Sequence, residues 1–337
     1  MGRESLGFAI IGCGFISTQH AWAIKECRGG ELRVACDIDP SRAEALASRY
    51  GAEATTNFDA VLRREDVDVV NICTLPVLHA EMAIKAAQAG KHVLVEKPIA
   101  PTLEEADQMI ASCRQAGVKL AVIHQMRFST INRRMKELLD AGAIGKPFFI
   151  DVTYRTFRPQ AYFDRNERGT GRLDGGGAFI THAIHDLDVI LMFMGPVRSV
   201  MARKAVLGHV MEVEDMGVAL FEFENGAMGI LSAGTCIKRH HDRTVEIHGP
   251  EGTLFHNEKV LEHYITRGQP ITYEEIGLDA PGTLHKVQIR DLIEAIREDR
   301  EPVINGEVAR RPLELVQAIY ESCETDRLVY LEGRGKV

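Results

Sequence analysis

The stretch Leu6–Ser17, LGFAIIGCGFIS, decides the fold of this chain. Its first six residues form a short apolar run that is typical of a buried strand, and a helical pattern follows it. Between the two lies a GxGxxS motif, which differs from the dinucleotide-binding fingerprint by one residue. Glycines here permit a tight turn and the close approach of a pyrophosphate to the helix N-terminus, whose N–H groups favour an anion. The predicted nucleotide contacts are Gly12, Gly14, Phe15 and Ile16.

The second predicted strand, Leu32–Asp37, ends in an acidic residue near the usual spacing for a group that binds the adenosine ribose. A carboxylate at this position repels a ribose phosphate, so Asp37 favours NAD over NADP. Arg42 lies close by in the sequence and could tolerate a phosphate, which leaves dual specificity open. The alternative interpretation is that Asp37 only ends a strand.

The alternation of apolar runs and helical patterns continues to about residue 124. Strands are predicted at Val67–Thr74, His92–Glu96 and Leu120–Ile123, with a helix at Ala80–Ala89 that Gly90 ends. This order predicts an α/β Rossmann domain with a doubly wound parallel sheet over residues 1–124. Ligands of such sheets lie beyond the carboxyl ends of the strands, where Lys97 follows a strand. The alternative for Lys97 is an ordinary surface lysine.

A second organising stretch is Gly175–Asp188, GGGAFITHAIHDLD. Three glycines precede a predicted helix, Ala178–Met194, which Gly195 and Pro196 end. On a continuous helix, Thr181 and His185 share one face because they are four residues apart. A histidine held on a rigid helix can serve as a general acid or base.

The remainder of the chain, residues 125–337, predicts a C-terminal α+β domain with mainly antiparallel strands. Asn225 and Gly226 separate two alternating segments, which is a strong hairpin signal. The predicted strands of this half include Phe148–Tyr154, Val197–Arg203, Val218–Phe223, Met228–Ala233, Thr244–His248 and Val260–Thr266.

Basic residues cluster in segments that suit a substrate cleft. Arg127 follows a strand end, and residues 238–242 form a charged segment between two strands. Cations at these places favour a carboxylate or phosphate on the substrate. A solvated loop is an equally good interpretation of any one of them. The loop 155–173 carries Arg158, Tyr162, Arg165, Arg168 and Arg172.

Composition limits the classes of function. The net charge of -8, without a basic stripe, argues against a nucleic-acid partner, and no apolar run has membrane-spanning or signal-peptide character. Seven scattered cysteines without a CxxC pair indicate reduced thiols in a cytoplasmic protein. A metal site is an alternative for His182, His185, Asp186 and 240–242, because H-x-x-H spacing on a helix can place two ligands together. No HExxH-type pattern appears, so no metal is expected.

The run AGKHVLVEKP at Ala89–Pro98, together with the GxGxxS motif and the helix that carries His185, resembles the glucose–fructose oxidoreductase / inositol dehydrogenase / rhizopine-catabolism (Gfo/Idh/MocA) family. The resemblance covers nearly the whole chain. It implies a C-terminal domain with a large open, mainly antiparallel sheet that forms homodimers or homotetramers. It also implies hydride transfer between NAD(P) and a secondary alcohol or ketone of a sugar, sugar acid or cyclitol.

The resemblance assigns catalysis to Lys97 and His185. It implies further cofactor contacts at Thr74, His79, Glu96 and Lys97. Its implied substrate contacts are Lys97, Arg127, Arg172, Thr181, His182 and His185.

Two positions depart from the family pattern. Thr181 stands where inositol dehydrogenases carry an aspartate, so His185 is expected to be a weaker base unless Asp186, Asp188 or another acid substitutes. Thr74-Leu75-Pro76 replaces the usual Thr-Pro-Asn, and Pro76 has no N–H to offer.

These features predict that His185 takes a hydroxyl proton as hydride leaves, while Lys97 stabilises the developing negative charge. One alternative is a glycosidase that uses tightly bound NAD for a transient oxidation. A second alternative is a sugar or NAD sensor without catalysis, although a sensor would need neither Lys97 nor His185.

Overall fold

The computed structural model describes residues 5–164, 169–238, 243–265 and 272–331. The chain forms two compact units, of which the first comprises residues 1–125 and 280–310. The second comprises residues 126–279 and 311–337. The sequence prediction placed all of 125–337 in the second domain, so the return of 280–310 to the first unit is a difference from it.

The first unit contains a six-stranded parallel sheet, which confirms the predicted doubly wound Rossmann fold. The strand order is β3-β2-β1-β4-β5-β6, and every neighbouring pair is parallel. Strands β1, β4 and β5 are almost fully buried because helices cover both faces of such a sheet. The strands are β1 Leu6–Ile11, β2 Gly30–Cys36, β3 Glu53–Thr55, β4 Val69–Ile72, β5 His92–Val95 and β6 Leu120–Val122.

Local signals set the ends of the helices between these strands. Thr102 and Glu105 form a capping box, in which each side chain accepts the other residue's backbone N–H. Gly117 ends the same helix with a φ of 67°, in the left-handed region that glycine tolerates best. The helices of this unit are Ser17–Glu26, Pro40–Tyr50, Phe58–Leu62, His79–Gln88, Leu103–Ala116 and Thr283–Glu298.

Helix Thr283–Glu298 belongs to the first unit because its apolar stripe completes the core of that unit. Ile289, Leu292 and Ile293 are buried in the same cluster as Phe8 and Ile24. Their burial removes apolar surface from water, which stabilises the unit by about 25 cal/mol per Å². Sequence patterning does not indicate this packing, because Phe8 and Ile24 lie more than 250 residues away along the chain.

The second unit contains a nine-stranded sheet, which confirms the predicted open and mainly antiparallel arrangement. The strand order is β14-β13-β12-β11-β7-β10-β9-β8-β15. Among its described pairs, β7 with β10 is parallel and the others are antiparallel. The strands are β7 Phe149–Arg155, β8 Val197–Ala205, β9 Met216–Phe223, β10 Met228–Gly234, β11 Thr244–Gly249, β12 Gly252–His256, β13 Val260–Ile265, β14 Thr272–Glu275 and β15 Val329–Tyr330.

The two faces of this sheet differ in burial. The predicted hairpin at Asn225 and Gly226 joins β9 to β10, and residues along β9 alternate between buried and exposed. Phe179 packs against Gly217 on one face, while Leu220 remains 53% exposed on the other. The other helices are Thr130–Asp140, Gln160–Asp164, Gly171–Asp174, Ala178–Thr181, Ile184–Met194 and Gly306–Thr325. Within the described chain, no helix combines the length and apolar character needed to cross a membrane.

The predicted continuous helix Ala178–Met194 is wrong, because the structure has two helices, Ala178–Thr181 and Ile184–Met194. The N–H of Ala183 donates to the carbonyl of Ala178, five residues earlier, at 2.9 Å. This bond widens the turn and interrupts the regular i→i−4 ladder. Periodicity did not show the break because apolar residues continue on both sides of it.

Candidate active site

The turn after β1 packs closely against the end of β4. Gly12 has a φ of 89°, and a Cβ at this position would lie 2.8 Å from the carbonyl oxygen of Cys73. Both the conformation and the close approach therefore require glycine. Since β1 and β4 flank the point where the strand order reverses, the turn lies where doubly wound sheets bind nucleotides.

The helix that follows this turn has no side-chain cap at its N-terminus. Ile16 occupies the N-cap position without a capping hydrogen bond, so the backbone N–H groups of the first turn can receive an anion. Ser17, which replaces the third glycine of the fingerprint, is fully buried and donates to the carbonyl of Gly14 at 2.6 Å. This bond explains how the departure from the fingerprint is accommodated. A Cβ on Gly14 would meet nothing within 4 Å, which leaves room above the turn.

Asp37 lies directly after β2 and is fixed by backbone donors. Its Oδ2 accepts the N–H of Cys13 at 2.6 Å, and its Oδ1 accepts the N–H of Asp39 at 2.9 Å. The carboxylate thus connects the end of β2 to the glycine turn, next to Ile38, which is 95% exposed. Arg42 lies 3.4 Å from Asp39 in an exposed ion pair.

These features fit a bound dinucleotide. The uncapped helix N-terminus suits a pyrophosphate, the carboxylate of Asp37 suits a ribose diol, and exposed Phe15 and Ile38 offer apolar surface. Sequence reasoning identified all of these residues except Ile38, whose exposure depends on how the loop after β2 folds.

Glu96 ends β5 and is buried in a network of polar groups. His20 Nε2 lies 2.8 Å from Glu96 Oε1, and the backbone N–H of Lys97 donates to Glu96 Oε2 at 3.2 Å. Asn71 Nδ2 lies 2.9 Å from the other nitrogen of His20. Burial acts to raise the pKa of Glu96, but the hydrogen bond and charge of His20 outweigh it and bring the pKa to about 2. The ionised Glu96 therefore fixes the backbone at Lys97.

A second histidine, His285, approaches the same carboxylate. Its Nε2 lies 3.9 Å from Glu96 Oε1, and burial, with a smaller contribution from His20, lowers its pKa to about 4. Among the described residues, His20, Glu96 and His285 are the one group of three potential metal ligands that converge, with ligand atoms within 4.8 Å of one another. The 2.8 Å contact is an ordinary hydrogen bond, which supports a structural network here. The sequence prediction missed both histidines because they lie in helices far apart in the chain.

His79 is buried below the ends of β4 and β5. Its ring nitrogens lie 2.9 Å from the carbonyl oxygen of Pro98 and 3.2 Å from that of Thr74. Burial lowers the pKa of His79, so the neutral ring is favoured. These two contacts connect Pro98, which follows Lys97, to Thr74. Like Glu96, His79 is thus a predicted cofactor residue whose side chain contacts groups of the protein. The peptide bond between Lys97 and Pro98 is cis.

In the second unit, Glu214 holds the glycine-rich segment that precedes His185. Its carboxylate accepts the N–H groups of Gly177 at 3.2 Å and Phe179 at 3.1 Å, and the hydroxyl of Tyr320 at 2.9 Å. A Cβ on Gly177 would lie 1.9 Å from the carbonyl oxygen of Glu214, and one on Gly176 would lie 2.2 Å from the Tyr320 hydroxyl. The glycines therefore allow this close packing. Sequence reasoning identified the glycines but not Glu214.

Thr181 and His185 lie on either side of the helix break. The hydroxyl of Thr181 donates to the carbonyl of Gly177 at 2.6 Å, so its proton stays within the first short helix and its oxygen can act as an acceptor. His185 is buried in the first turn of the second helix. The break removes the basis for the prediction that both residues share one face of a regular helix.

The two carboxylates that follow His185 are each bound by an arginine. Arg127 binds Asp188 through two hydrogen bonds of 2.7 Å, and Arg243 lies 2.6 Å from Asp186. Burial raises the pKa of Asp186 to about 6, although Arg243 acts in the opposite direction. Arg127, a predicted substrate contact, is thus engaged by the protein. Asp186 and Asp188, the acids expected to compensate for Thr181, are therefore each engaged by an arginine.

His182 lies in a small pocket of the second unit, here called the His182 pocket, with aromatic rings on its walls. Its ring stacks on Tyr154 with centroids 6.0 Å apart, and Tyr162 lies 6.1 Å away at a tilt. Thr181 lines the same pocket. The structure thus brings the predicted substrate residues Thr181 and His182 together. The full lining is Tyr162, Phe163, Gly169, Gly176, Gly177, Ala178, Thr181, His182, Met211 and Thr235.

Some predicted residues lie outside the described part of the chain. These are Arg165, Arg168, the side chain of Arg172, and residues 239–242 with their proposed role in substrate or metal binding.

Comparison with protein-family models gives two matches. Residues 6–124 match a model described as an oxidoreductase family with an NAD-binding Rossmann fold, and residues 132–255 match the Gfo/Idh/MocA C-terminal domain. The chain is 30% identical to a D-apiose dehydrogenase of Paraburkholderia graminis, with 96% of this chain and 89% of the relative covered. It is 28% identical to a myo-inositol 2-dehydrogenase of Thermotoga maritima, over 96% and 98% of the two chains.

A solved structure has the same fold over nearly its whole length. The WlbA dehydrogenase of Bordetella pertussis, in complex with NADH and UDP-GlcNAcA, superimposes with a TM-score of 0.88 at 29% identity. The match covers 98% of this chain and 99% of the other.

The buried His20–Glu96 pair generates a stability prediction. Replacing His20 with alanine leaves a buried carboxylate without its closest partner, which costs about 3 kcal/mol of unfolding free energy. We expect urea unfolding of His20→Ala to show this loss, whereas Gln19→Ala, one position earlier in the same helix, should change stability by less than about 0.5 kcal/mol. Equal stability of His20→Ala and wild type would contradict the assigned role of the pair.

Proposed function

The chain belongs to the Gfo/Idh/MocA family of oxidoreductases with an NAD-binding Rossmann fold, and on this premise we propose that it oxidises a secondary alcohol of a sugar, sugar acid or cyclitol, or reduces the corresponding ketone. The observation that carries the proposal is the set of groups suited to a nucleotide where the strand order of the first sheet reverses. There the uncapped helix N-terminus follows Gly12 and Gly14, and Asp37 lies at the next strand end.

The cofactor is NAD, which supplies the hydride acceptor when bound. Gly12 and Gly14 would let the pyrophosphate approach the N–H groups of the following helix. Asp37 would accept hydrogen bonds from the adenosine ribose, and its negative charge disfavours a phosphate there. Arg42 is paired with Asp39 in an exposed contact, so it retains the capacity to receive a phosphate if Asp37 is removed.

We assign the proton-transfer role to His185 and charge stabilisation to Lys97. His185 takes the proton of the reacting hydroxyl, since an imidazole is the side chain best matched to proton transfer near neutral pH. Lys97 stabilises the negative charge that develops on the oxygen. Glu96 supports this role because it fixes the backbone N–H of Lys97 from a buried position.

The glycosidase alternative is not favoured, since the relatives named above are called dehydrogenases. A sensor without catalysis would need neither Lys97 nor His185, because binding alone requires no proton transfer. We further propose that the enzyme works in the cytoplasm, where its seven free thiols would stay reduced.

We also propose that the protein forms a homodimer or homotetramer through the sheet of the second unit. On the exposed face of β9 and β10, Val218, Leu220 and Met228 present apolar side chains to solvent. A contiguous apolar patch of this kind is typical of a protein interface.

The test of the function is a screen of sugars, sugar acids and cyclitols with NAD, followed by absorbance of the reduced nicotinamide. With the best substrate, Lys97→Ala and His185→Ala should each lower kcat by about 10² to 10⁴. Binding of NAD, measured by fluorescence titration, should stay within about twofold of wild type. Wild-type turnover in either variant would refute the role of that residue. Bound NAD without net turnover would instead favour the glycosidase.

Cofactor preference gives a second prediction. Replacing Asp37 with serine removes a charged acceptor and the repulsion of a ribose phosphate, so kcat/KM for NAD should fall by about 10- to 100-fold while that for NADP rises. The matched control is Asp39→Ser, because serine also caps a helix and Asp39 does not bond to the glycine turn. An unchanged ratio in Asp37→Ser would contradict the role of Asp37.

The association state can be measured by size-exclusion chromatography with light scattering. Wild type should have the mass of a dimer or tetramer, and Leu220→Glu should reduce it because a charge is placed on the apolar face. Val210→Glu, in an exposed loop outside the strands, should leave the mass unchanged. A monomeric wild type at micromolar concentration would refute this interface.

A further inference from the structure

The side chain of Arg158 is a cation that no carboxylate of the described residues neutralises. It is half-buried, and its Nε is buried without a hydrogen-bond partner. No carboxylate that the structure describes forms a salt bridge with it. A guanidinium keeps its charge at any physiological pH, so a buried donor of this kind calls for an anionic partner.

Two other arginines of the second unit are already engaged by carboxylates. Arg127 binds the carboxylate of Asp188, and Arg243 contacts those of Asp186 and Glu258. Arg158 instead lies over the ring of Tyr162, with its Cζ 5.4 Å from the ring centroid. Arg158 also hydrogen-bonds with the side chain of Tyr154. Both aromatic partners are uncharged, so among the described contacts the positive charge is not neutralised and Nε can still donate to an anion.

The position of Arg158 is fixed by backbone hydrogen bonds next to the His182 pocket. Its N–H donates to the carbonyl of Thr235 at 2.8 Å, and its own carbonyl lies 2.7 Å from His209 Nε2. Thr235 and Tyr162, two of the residues in contact with Arg158, both line the pocket. Backbone hydrogen bonds and packing on Tyr162 therefore hold the charge at the pocket wall, as a recognition group requires.

We propose that Arg158 recognises a carboxylate on the substrate, so that the preferred substrates of this oxidoreductase are sugar acids. The inference rests on the proposed function, because it names the substrate class of the same site. A carboxylate fits one guanidinium, since the planar fork can donate two parallel hydrogen bonds to its two oxygens. The two charges of a phosphate dianion are better matched by two cations, and Arg127 and Arg243 are occupied by protein carboxylates.

The experiment compares three groups of compounds with NAD: the acids D-glucuronate, D-galacturonate and D-gluconate, the neutral D-glucose, D-galactose and myo-inositol, and D-glucose 6-phosphate. Wild type should have its highest kcat/KM on an acid. Arg158→Gln should raise KM for that acid by about 10- to 100-fold, with kcat and the KM of neutral compounds changed less than twofold. Arg158→Lys should recover only part of the loss, because an ammonium lacks the planar fork.

The matched control is Arg155→Gln, three residues earlier. Arg155 is exposed and donates to Ser232 Oγ at 2.9 Å, so its loss should leave KM for acids and neutral compounds unchanged. Circular dichroism of each variant shows whether it is folded. If Arg158→Gln is unfolded, the comparison of Arg158→Lys with wild type decides the question.

Each outcome bears on a different claim. Turnover of neutral sugars without turnover of acids refutes the inference and leaves the proposed function standing, and a preference for the phosphate refutes the carboxylate assignment. An equal loss on acids and neutral compounds in Arg158→Gln assigns Arg158 a structural role and overturns the inference.

If no compound reduces NAD, the proposed function fails. Calorimetric binding of D-glucuronate, lost in Arg158→Gln, then supports the recognition role, and its absence from wild type refutes it.

Discussion

A buried carboxylate must be hydrogen-bonded or paired, because an isolated charge in the interior costs several kcal/mol. This requirement organises the candidate site residues of each unit. In the first unit, His20 compensates Glu96, which in turn fixes the backbone of Lys97. In the second unit, Glu214 is satisfied by backbone N–H groups and the hydroxyl of Tyr320. The side chains proposed for chemistry thus adjoin backbone that a satisfied charge holds in place.

The same requirement limits how His185 can be supported. Asp186 and Asp188, its neighbours in sequence, are neutralised by arginines, and the hydroxyl proton of Thr181 is committed to a backbone carbonyl. None of these three groups therefore supplies the charge that an aspartate at position 181 would bring to an imidazolium. Without that charge, proton transfer to His185 lowers the activation barrier of the proposed reaction by less. The proposed mechanism therefore depends more on the charge stabilisation assigned to Lys97.

The sequence predicted the features that depend on short spacings. The strand–turn–helix at Leu6–Ser17 and the hairpin at Asn225 follow from residues within a few positions of one another. The helix break after Thr181 was missed because it depends on a wide turn in an apolar run. The place of helix Thr283–Glu298 was missed because its packing partners are distant in sequence.

The sequence could not predict which charged side chains pair with one another. This pairing distinguishes an arginine that is bound to a carboxylate of the protein from one that is not. In the sequence, Arg127 is a predicted substrate contact and Arg158 is one of several basic residues in the loop 155–173. In the structure, Arg127 is neutralised by Asp188, 61 positions away, while Arg158 lies over an aromatic ring. Substrate charge should follow the cation that remains after such pairing, not the number of cations in the sequence. For this reason the proposed preference for sugar acids rests on Arg158 and not on the wider cluster of basic residues.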